Sequence, residues 1–236
     1  MASTVRVSQT PPWVPVLKKQ IDGHEKDQDY TAYALATLDK EGLPKVRYVI
    51  HRILTPASSI LITTTDTRMA KPAHLAAHHT VEMAWWLSEP AIQFRITGQA
   101  YTIPSDESAS DYDSKFGDVL SGLKAKGDEA EKGYWQKERK RLWTEAMSGH
   151  LRASFGRPPP GTSLSEVSDP STWDESLPAE SDDPETKKKI DNAYSHFALL
   201  AIRPTGFEQL ELKATPNIRT QWTDKGEDWE ERHVAP

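Results

Sequence analysis

The sequence predicts a mainly β, antiparallel barrel with flanking helices (an α+β fold), and three observations carry that prediction. Five segments between Tyr30 and Ile103 have strand character and follow one another through short polar or Gly/Pro turns. Only one of their connections, the alanine-rich stretch Met69 to His79, reads as helix. After a long polar interlude, the apolar run Phe197-Ala198-Leu199-Leu200-Ala201-Ile202 opens a C-terminal meander. Strands that are adjacent in sequence pair antiparallel through short turns, whereas a parallel sheet needs a crossover at every step.

Trp13, Val14, Val16, Leu17 and Ile21 stand close to helical spacing, and Gly23 follows as a stop signal. Tyr30 to Leu38 alternates large residues against small alanines, as a strand does. Asp39-Lys40-Glu41-Gly42-Leu43-Pro44 is a hairpin connection in which Gly42 accepts positive φ. Lys45 to Leu54 and Ser59 to Thr65 are the next strands, across a Thr55-Pro56-Ala57 turn. Val81 to Leu87 and Ile92 to Ile103 follow the helix. Glu107 to Met147 is rich in Lys, Glu and Asp, with spaced apolar residues that give two or three surface helices, and Pro158-Pro159-Pro160-Gly161 ends them. Thr162 to Lys189 has few large apolar residues, so it reads as an excursion, either mobile or laid along the surface. Gly206 to Leu212, Ile218 to Thr223 and Trp229 to Val234 complete the meander. The expected organisation is one domain over 1–236, with a helical insertion at 104–150, an acidic Pro/Ser-rich loop at 156–192 and C-terminal strands at 193–236.

Composition narrows the classes. The chain has 236 residues, a formal net charge of −6 and no cysteine. An acidic balance, with a pI near 5.8, argues against a nucleic-acid binder. Without cysteine there are no disulfides, thiolate nucleophiles or Cys-ligated metals. A mean hydropathy of −0.67 fits a barrel carrying solvated loops. Met1-Ala2-Ser3-Thr4-Val5-Arg6 lacks an apolar core, and no run reaches membrane-spanning length, so a soluble cytoplasmic protein is expected.

The strand Val46-Arg47-Tyr48-Val49-Ile50-His51-Arg52 is the strongest chemical signal. Its two arginines lie about 17 Å apart if the strand is continuous, on opposite pleat faces unless a bulge intervenes. They could meet the two ends of an elongated anionic ligand. A solvated edge strand with ordinary surface arginines is the more economical reading of spacing alone. Thr63 to Lys71 is a strand end, a polar turn and a helix start, which offers free N–H groups with Arg68 and Lys71 beside them. That place suits a phosphate, although Asp66 or Thr67 could simply cap the helix. His74, His78, His79 and Glu82 lack the arrangement a zinc site needs, so no metal is expected. Trp85, Trp86, Trp222 and Trp229 could stack on a flat ring, but barrel aromatics are more often core or interface. No hydrolase, Walker, Rossmann or zinc-protease motif is present.

At these residues the sequence resembles the FMN-binding split-barrel superfamily, in particular the pyridoxamine 5′-phosphate oxidase-like proteins of the Alr4036-type branch. The resemblance rests on Gly42-Leu43-Pro44-Lys45-Val46-Arg47 leading to Arg52, on Thr64 to Lys71, and on Trp85-Trp86-Leu87 before Gln93-Phe94-Arg95-Ile96-Thr97-Gly98. Leu151-Arg152-Ala153-Ser154-Phe155 with Pro158-Pro159-Pro160-Gly161, and the ending around Asp228-Trp229, also fit. It implies an FMN-binding homodimer with the flavin between subunits. Arg47 and Lys71 would hold the FMN phosphate, helped by Arg68, Thr64 and Thr65. Val49, Ile50 and Arg52 would line the ring, Gln93 would bond to it, and Arg219 and Trp222 would close the site. Arg52 is the nearest candidate for a catalytic group. The oxidases anchor pyridoxal phosphate with Arg-x-His near the C-terminus, whereas here Ile218-Arg219-Thr220-Gln221-Trp222 has no histidine. Met69-Ala70 also replaces Ser-Arg in the turn. The resemblance therefore implies an FMN-dependent oxidoreductase with altered substrate anchoring and an unnamed small-molecule substrate. The alternatives are a non-catalytic FMN-binding sensor or carrier, and a barrel that has lost its flavin and serves as an interaction module.

Overall fold

The computed structural model describes residues 10–236. Helix α1 (Trp13–Ile21) buries Trp13, Val14, Leu17 and Ile21 on one face. After the single turn α2 (Gln28–Thr31), strands β1 (Ala32–Leu38) and β2 (Pro44–Ile50) form a hairpin. Asp39 Oδ1 accepts the N–H groups of Glu41 and Leu43, and Gly42 takes φ +79° in that turn. Then come β3 (Ile53–Leu54), β4 (Leu61–Asp66), α3 (Ala70–Ala77), β5 (Thr80–Leu87) and β6 (Ile92–Thr102). Four further helices, α4 (Tyr112–Leu123), α5 (Lys132–Arg141), α6 (Gly149–Gly156) and α7 (Pro184–His196), precede β7 (Phe197–Glu211), β8 (Ile218–Asp224) and β9 (Trp229–Val234).

All pairings are antiparallel, in the order β2-β1-β5-β6-β7-β4-β3. Because only His51 and Arg52 separate β2 from β3, one short stretch of chain lies at both ends of this sheet and closes it into a barrel. The expected strand Lys45 to Leu54 is therefore two pieces. At the break, the His51 N–H reaches back to Thr31 O at 2.8 Å, while the Arg52 N–H reaches forward to Ile62 O at 2.8 Å. Strand β7 makes the split: Phe197 to Ile202 pair with β4, and Gly206 to Glu211 pair with β8, while β6 accompanies both halves.

Two apolar cores share β4 and β7. Inside the barrel, Tyr33, Leu35, Met83, Trp85, Phe94 and Ile96 pack together, and Trp13 of α1 closes one end by stacking on Phe207 at 4.8 Å. On the other side of β7, Phe197, Leu199 and Ala201 meet Trp135, Trp143 and Phe155 of the helical layer. A strand covered on both faces needs no polar alternation, which explains the continuous run from Phe197 to Ile202. Arg139 is buried and holds the layers together, donating to Phe197 O, Tyr194 O and Ser105 O.

The long excursion differs from its sequence reading at its end. Residues 184–189 are helical, because Asp183 caps α7 by accepting Thr186 N–H at 2.8 Å and Pro184 occupies its first turn. The stretch before it lies along the helices, with Leu177 buried and Asp174 O accepting from Arg157. The 3-10 turn Gly127–Ala130 presents Glu129, fully buried, which accepts from Thr55, Ala57 and Ser58 in the β3–β4 turn.

Strands β6 and β7 shift register between Thr97 and Gly98, where a Cβ on Gly98 would stand 2.7 Å from Arg203 O. The Arg203 backbone and the buried Ile202 side chain leave little room to yield. Gly98→Ala is expected to destabilise the fold by about 1–3 kcal/mol, as overpacking does. The thermal unfolding midpoint reads this directly, and an unchanged midpoint would show that the strand crossing relaxes.

Candidate functional site

The cationic group sits where β2, the end of β4 and α3 converge. Arg47 shares a pleat face with Val49, and its Nη1 donates to Leu35 O at 3.1 Å and Thr37 Oγ1 at 2.7 Å. Thr37 Oγ1 lies 3.0 Å from His74 Nδ1, so Thr37 links strand and helix. Lys71 is only 6% exposed, and its Nζ contacts Met69 Sδ at 3.1 Å. Burial, followed by the nearby positive charge of Arg47, pushes the Lys71 ammonium down to about 8, while Asp66 opposes this weakly. Burial also lowers Arg47.

The neighbouring carboxylate does not neutralise this pair. Asp66 is buried and accepts from Arg68 N, Nε and Nη2, the last at 2.6 Å. Arg68 spends its remaining donors on Arg157 O and Phe155 O at the end of α6. Its guanidinium is thus turned toward Asp66 and α6. Helix α3 begins at Ala70 with Met69 as its N-cap and no side-chain cap, so neither Asp66 nor Thr67 plays the capping role considered from sequence. Buried Lys71 and half-buried Arg47, beside a helix N-terminus without a side-chain cap, form a place that favours an oxyanion.

The other expected residues distribute as follows. Thr65 is buried and bonds Asp66 O, while Thr64 is partly exposed on the opposite face of β4. Val49 belongs to the barrel core, and Ile50 turns outward. Arg52 lies at the barrel seam, away from Arg47 along the strand, with its Nε buried and unpartnered. Gln93 alternates with the core residues Ile92 and Phe94, so it faces outward beside Trp86 and Leu210. Arg47 and Gln93 of one chain therefore lie on opposite faces of the sheet. Arg219, in register with Leu210, is held by Glu208 at 3.0 Å. Glu208 also accepts from Gln221 and faces Arg95 at 3.6 Å. Trp85 and Trp222 are core residues, bonded to Tyr30 O and Glu231, and Trp229 packs edge-on against Trp13. His74 bonds Thr37, and His79 stacks on Tyr101.

Sequence reasoning missed Thr37, His74 and His51. Thr37 looked like one more alternating strand residue, and only the β1–β2 register brings it to Arg47. The signal available for His74 was its position one helical turn after Lys71 on the buried face of α3.

The fold is thus an antiparallel barrel split along β7, with a place that favours an oxyanion at the β4–α3 junction. Residues 10–104 match the family described as pyridoxamine 5′-phosphate oxidase, FMN-binding domain. Among solved structures, the chain is similar to a pyridoxamine 5′-phosphate oxidase-related, FMN binding protein from Nostoc punctiforme PCC 73102. They share 23% identity and a TM-score of 0.71 over 97% of this chain and 100% of that one. It is also similar to PhzG from Burkholderia lata 383, solved with tetrahydrophenazine-1-carboxylic acid, at 16% identity and a TM-score of 0.57 over 98% and 99% of the chains. At these identities the likeness is one of fold. No curated protein matches the sequence.

The lowered Lys71 value sets a pH dependence for phosphate recognition. The free ammonium is charged below about pH 8 and loses its proton above it, so attraction for a phosphate is complete at neutral pH and declines in alkali. FMN affinity, followed by quenching of flavin fluorescence, is expected to fall about tenfold between neutral and strongly alkaline pH. In Lys71→Met this decline disappears. An affinity equally flat in both proteins would separate Lys71 from phosphate binding.

Proposed function

We propose that the protein is an FMN-binding flavoprotein and an oxidoreductase related to the pyridoxamine 5′-phosphate oxidases. The observation that carries this reading is the pair of buried Lys71 and half-buried Arg47, whose neighbouring carboxylate, Asp66, is spent on Arg68. The residues present fit the group. In this reading Arg47, Lys71 and the free N–H groups at the start of α3 hold the FMN phosphate, with Thr64 and Thr65 alongside. Val49, Ile50 and Arg52 run along the flavin toward the seam. Arg68 acts one step removed, by occupying Asp66 and fixing the turn that presents Lys71. Bound FMN supplies two-electron redox chemistry, and the chain contributes orientation and electrostatics. Arg52, an uncompensated cation, would stabilise negative charge at the ring end of the site.

A homodimer completes the reading. The outward face carries Val46, Tyr48 and Trp86 at 71%, 79% and 47% exposure, an apolar area that favours a second copy. Gln93 lies on that same face, opposite to Arg47, and so would serve the flavin held by the partner. Arg219 stands in the same row across β7. The Arg-x-His anchor of the oxidases is here Arg219-Thr220-Gln221, with both polar side chains tied to Glu208, so the substrate differs from pyridoxamine phosphate. We place the protein in the cytoplasm.

The test is the visible spectrum of the purified protein incubated with FMN and passed through gel filtration. Retained, perturbed flavin bands at one per chain are expected. Arg47→Ala should weaken FMN binding by about 1.5–3 kcal/mol, the loss of a charge-assisted contact. A protein that retains no flavin would refute the assignment. Turnover with pyridoxamine phosphate, NADH or NADPH then separates an enzyme from a sensor or carrier.

A further inference from the structure

The barrel seam holds two buried polar atoms with no hydrogen-bond partner, on adjacent residues that line one cleft. His51 Nδ1 and Arg52 Nε are both unpartnered. Both side chains line a cleft of about 200 Å³ between the seam and the C-terminal end of α1. Folded proteins leave few such atoms unsatisfied, because a buried donor without an acceptor forfeits the hydrogen bonds it made to water. Burial alone disfavours the charge on Arg52, with no carboxylate among its perturbing groups. The inner end of the cleft therefore lacks an acceptor, and a carboxylate is the group that satisfies a half-buried guanidinium best.

The rim has the opposite character. Asp22 follows the last turn of α1, where the helix dipole is negative, and Glu25 lies close by. Lys18 reaches Asp22 only at 3.8 Å and is largely exposed, so it screens the acids weakly. A ligand that is anionic at its inner end and cationic at its outer end matches both. The apolar wall of Ile21, Ile53 and Leu54 accepts a short aliphatic group between them. The space is smaller than the ~300–1,000 Å³ of pockets for drug-sized molecules, which limits the ligand to a small one.

We propose that this cleft binds a small zwitterion of the α-amino-acid type, with its carboxylate on Arg52 and its ammonium at Asp22 and Glu25. His51 adds a neutral contact: burial pushes its imidazole down to about 4, so at neutral pH it can meet the ligand without adding charge. The proposal stands on the cleft alone, although it shares Arg52 with the flavin reading.

Isothermal titration of the full chain with L-alanine tests it, run both with and without added FMN so that flavin binding is scored separately. Saturable heat is expected for L-alanine, a weaker response for acetate and none for methylammonium. Arg52→Met should weaken L-alanine binding about tenfold or more, the loss of a charge-assisted contact. Asp22→Asn should weaken L-alanine while leaving acetate unchanged. Leu54→Trp, which fills the cleft from its apolar wall, should abolish binding and serves if Arg52→Met does not fold. No saturable heat with L-alanine in the millimolar range, or equal affinity in the wild type and the folded variants, would overturn the proposal.

Discussion

Closure of the barrel depends on two backbone hydrogen bonds made by adjacent residues in opposite directions. The His51 N–H bonds the end of α2, next to β1, and the Arg52 N–H bonds β4. Between them the chain passes from one end of the sheet to the other, so neither residue can stay in a continuous ladder. That geometry turns the His51 ring against Trp85, at 5.2 Å between ring centroids, and leaves Arg52 without a carboxylate. The polar atoms at the seam are orphaned because backbone closure fixes where these side chains point.

The second organising constraint is the allocation of one carboxylate. Asp66 lies near Lys71 yet accepts four contacts from three donors of Arg68, which also donates to Phe155 O in α6 and Arg157 O just beyond it. This arrangement ties the helical layer to the β4–α3 turn and satisfies a buried charge at both ends. It also leaves Arg47 and Lys71 with an excess of positive charge, which adds to burial in weakening the hold of Lys71 on its proton. The same ion pair thus secures the fold and creates the demand for an anion a few residues away.

Local signals were readable in the sequence. Helix α1 showed its buried face at helical spacing, and the β1–β2 hairpin showed its Asp39 and Gly42 turn. Arg47 and Lys71 were also visible, since strand and helix starts announce themselves. What escaped was set by distant partners. The guanidinium of Arg68 is held by carbonyls 87 and 89 positions away, so its spacing from Lys71 gave no hint of that engagement. The seam at His51 and Arg52 depends on Thr31 and Ile62, and the strand-like run from Lys45 to Leu54, with no Gly or Pro to mark a break, conceals it. Helix α7 was obscured by its lysines, although Asp183-Pro184 is a start signal.

Strand β7 lies between β6 and β4, yet it is made long after both, behind the four helices α4 to α7. Thr64 waits for Leu199, and Ile96 waits for Phe207, so two long edges of the nascent barrel stay open while the helical layer is synthesised. The segment that matches the FMN-binding family, residues 10–104, contains β1 to β6 but not the strand that joins β4 to β6. A barrel built this way becomes whole only when its distant C-terminal portion arrives. A ribosome stalled before β7 would hold the β4–α3 junction on a sheet with two unpaired edges and no finished interior.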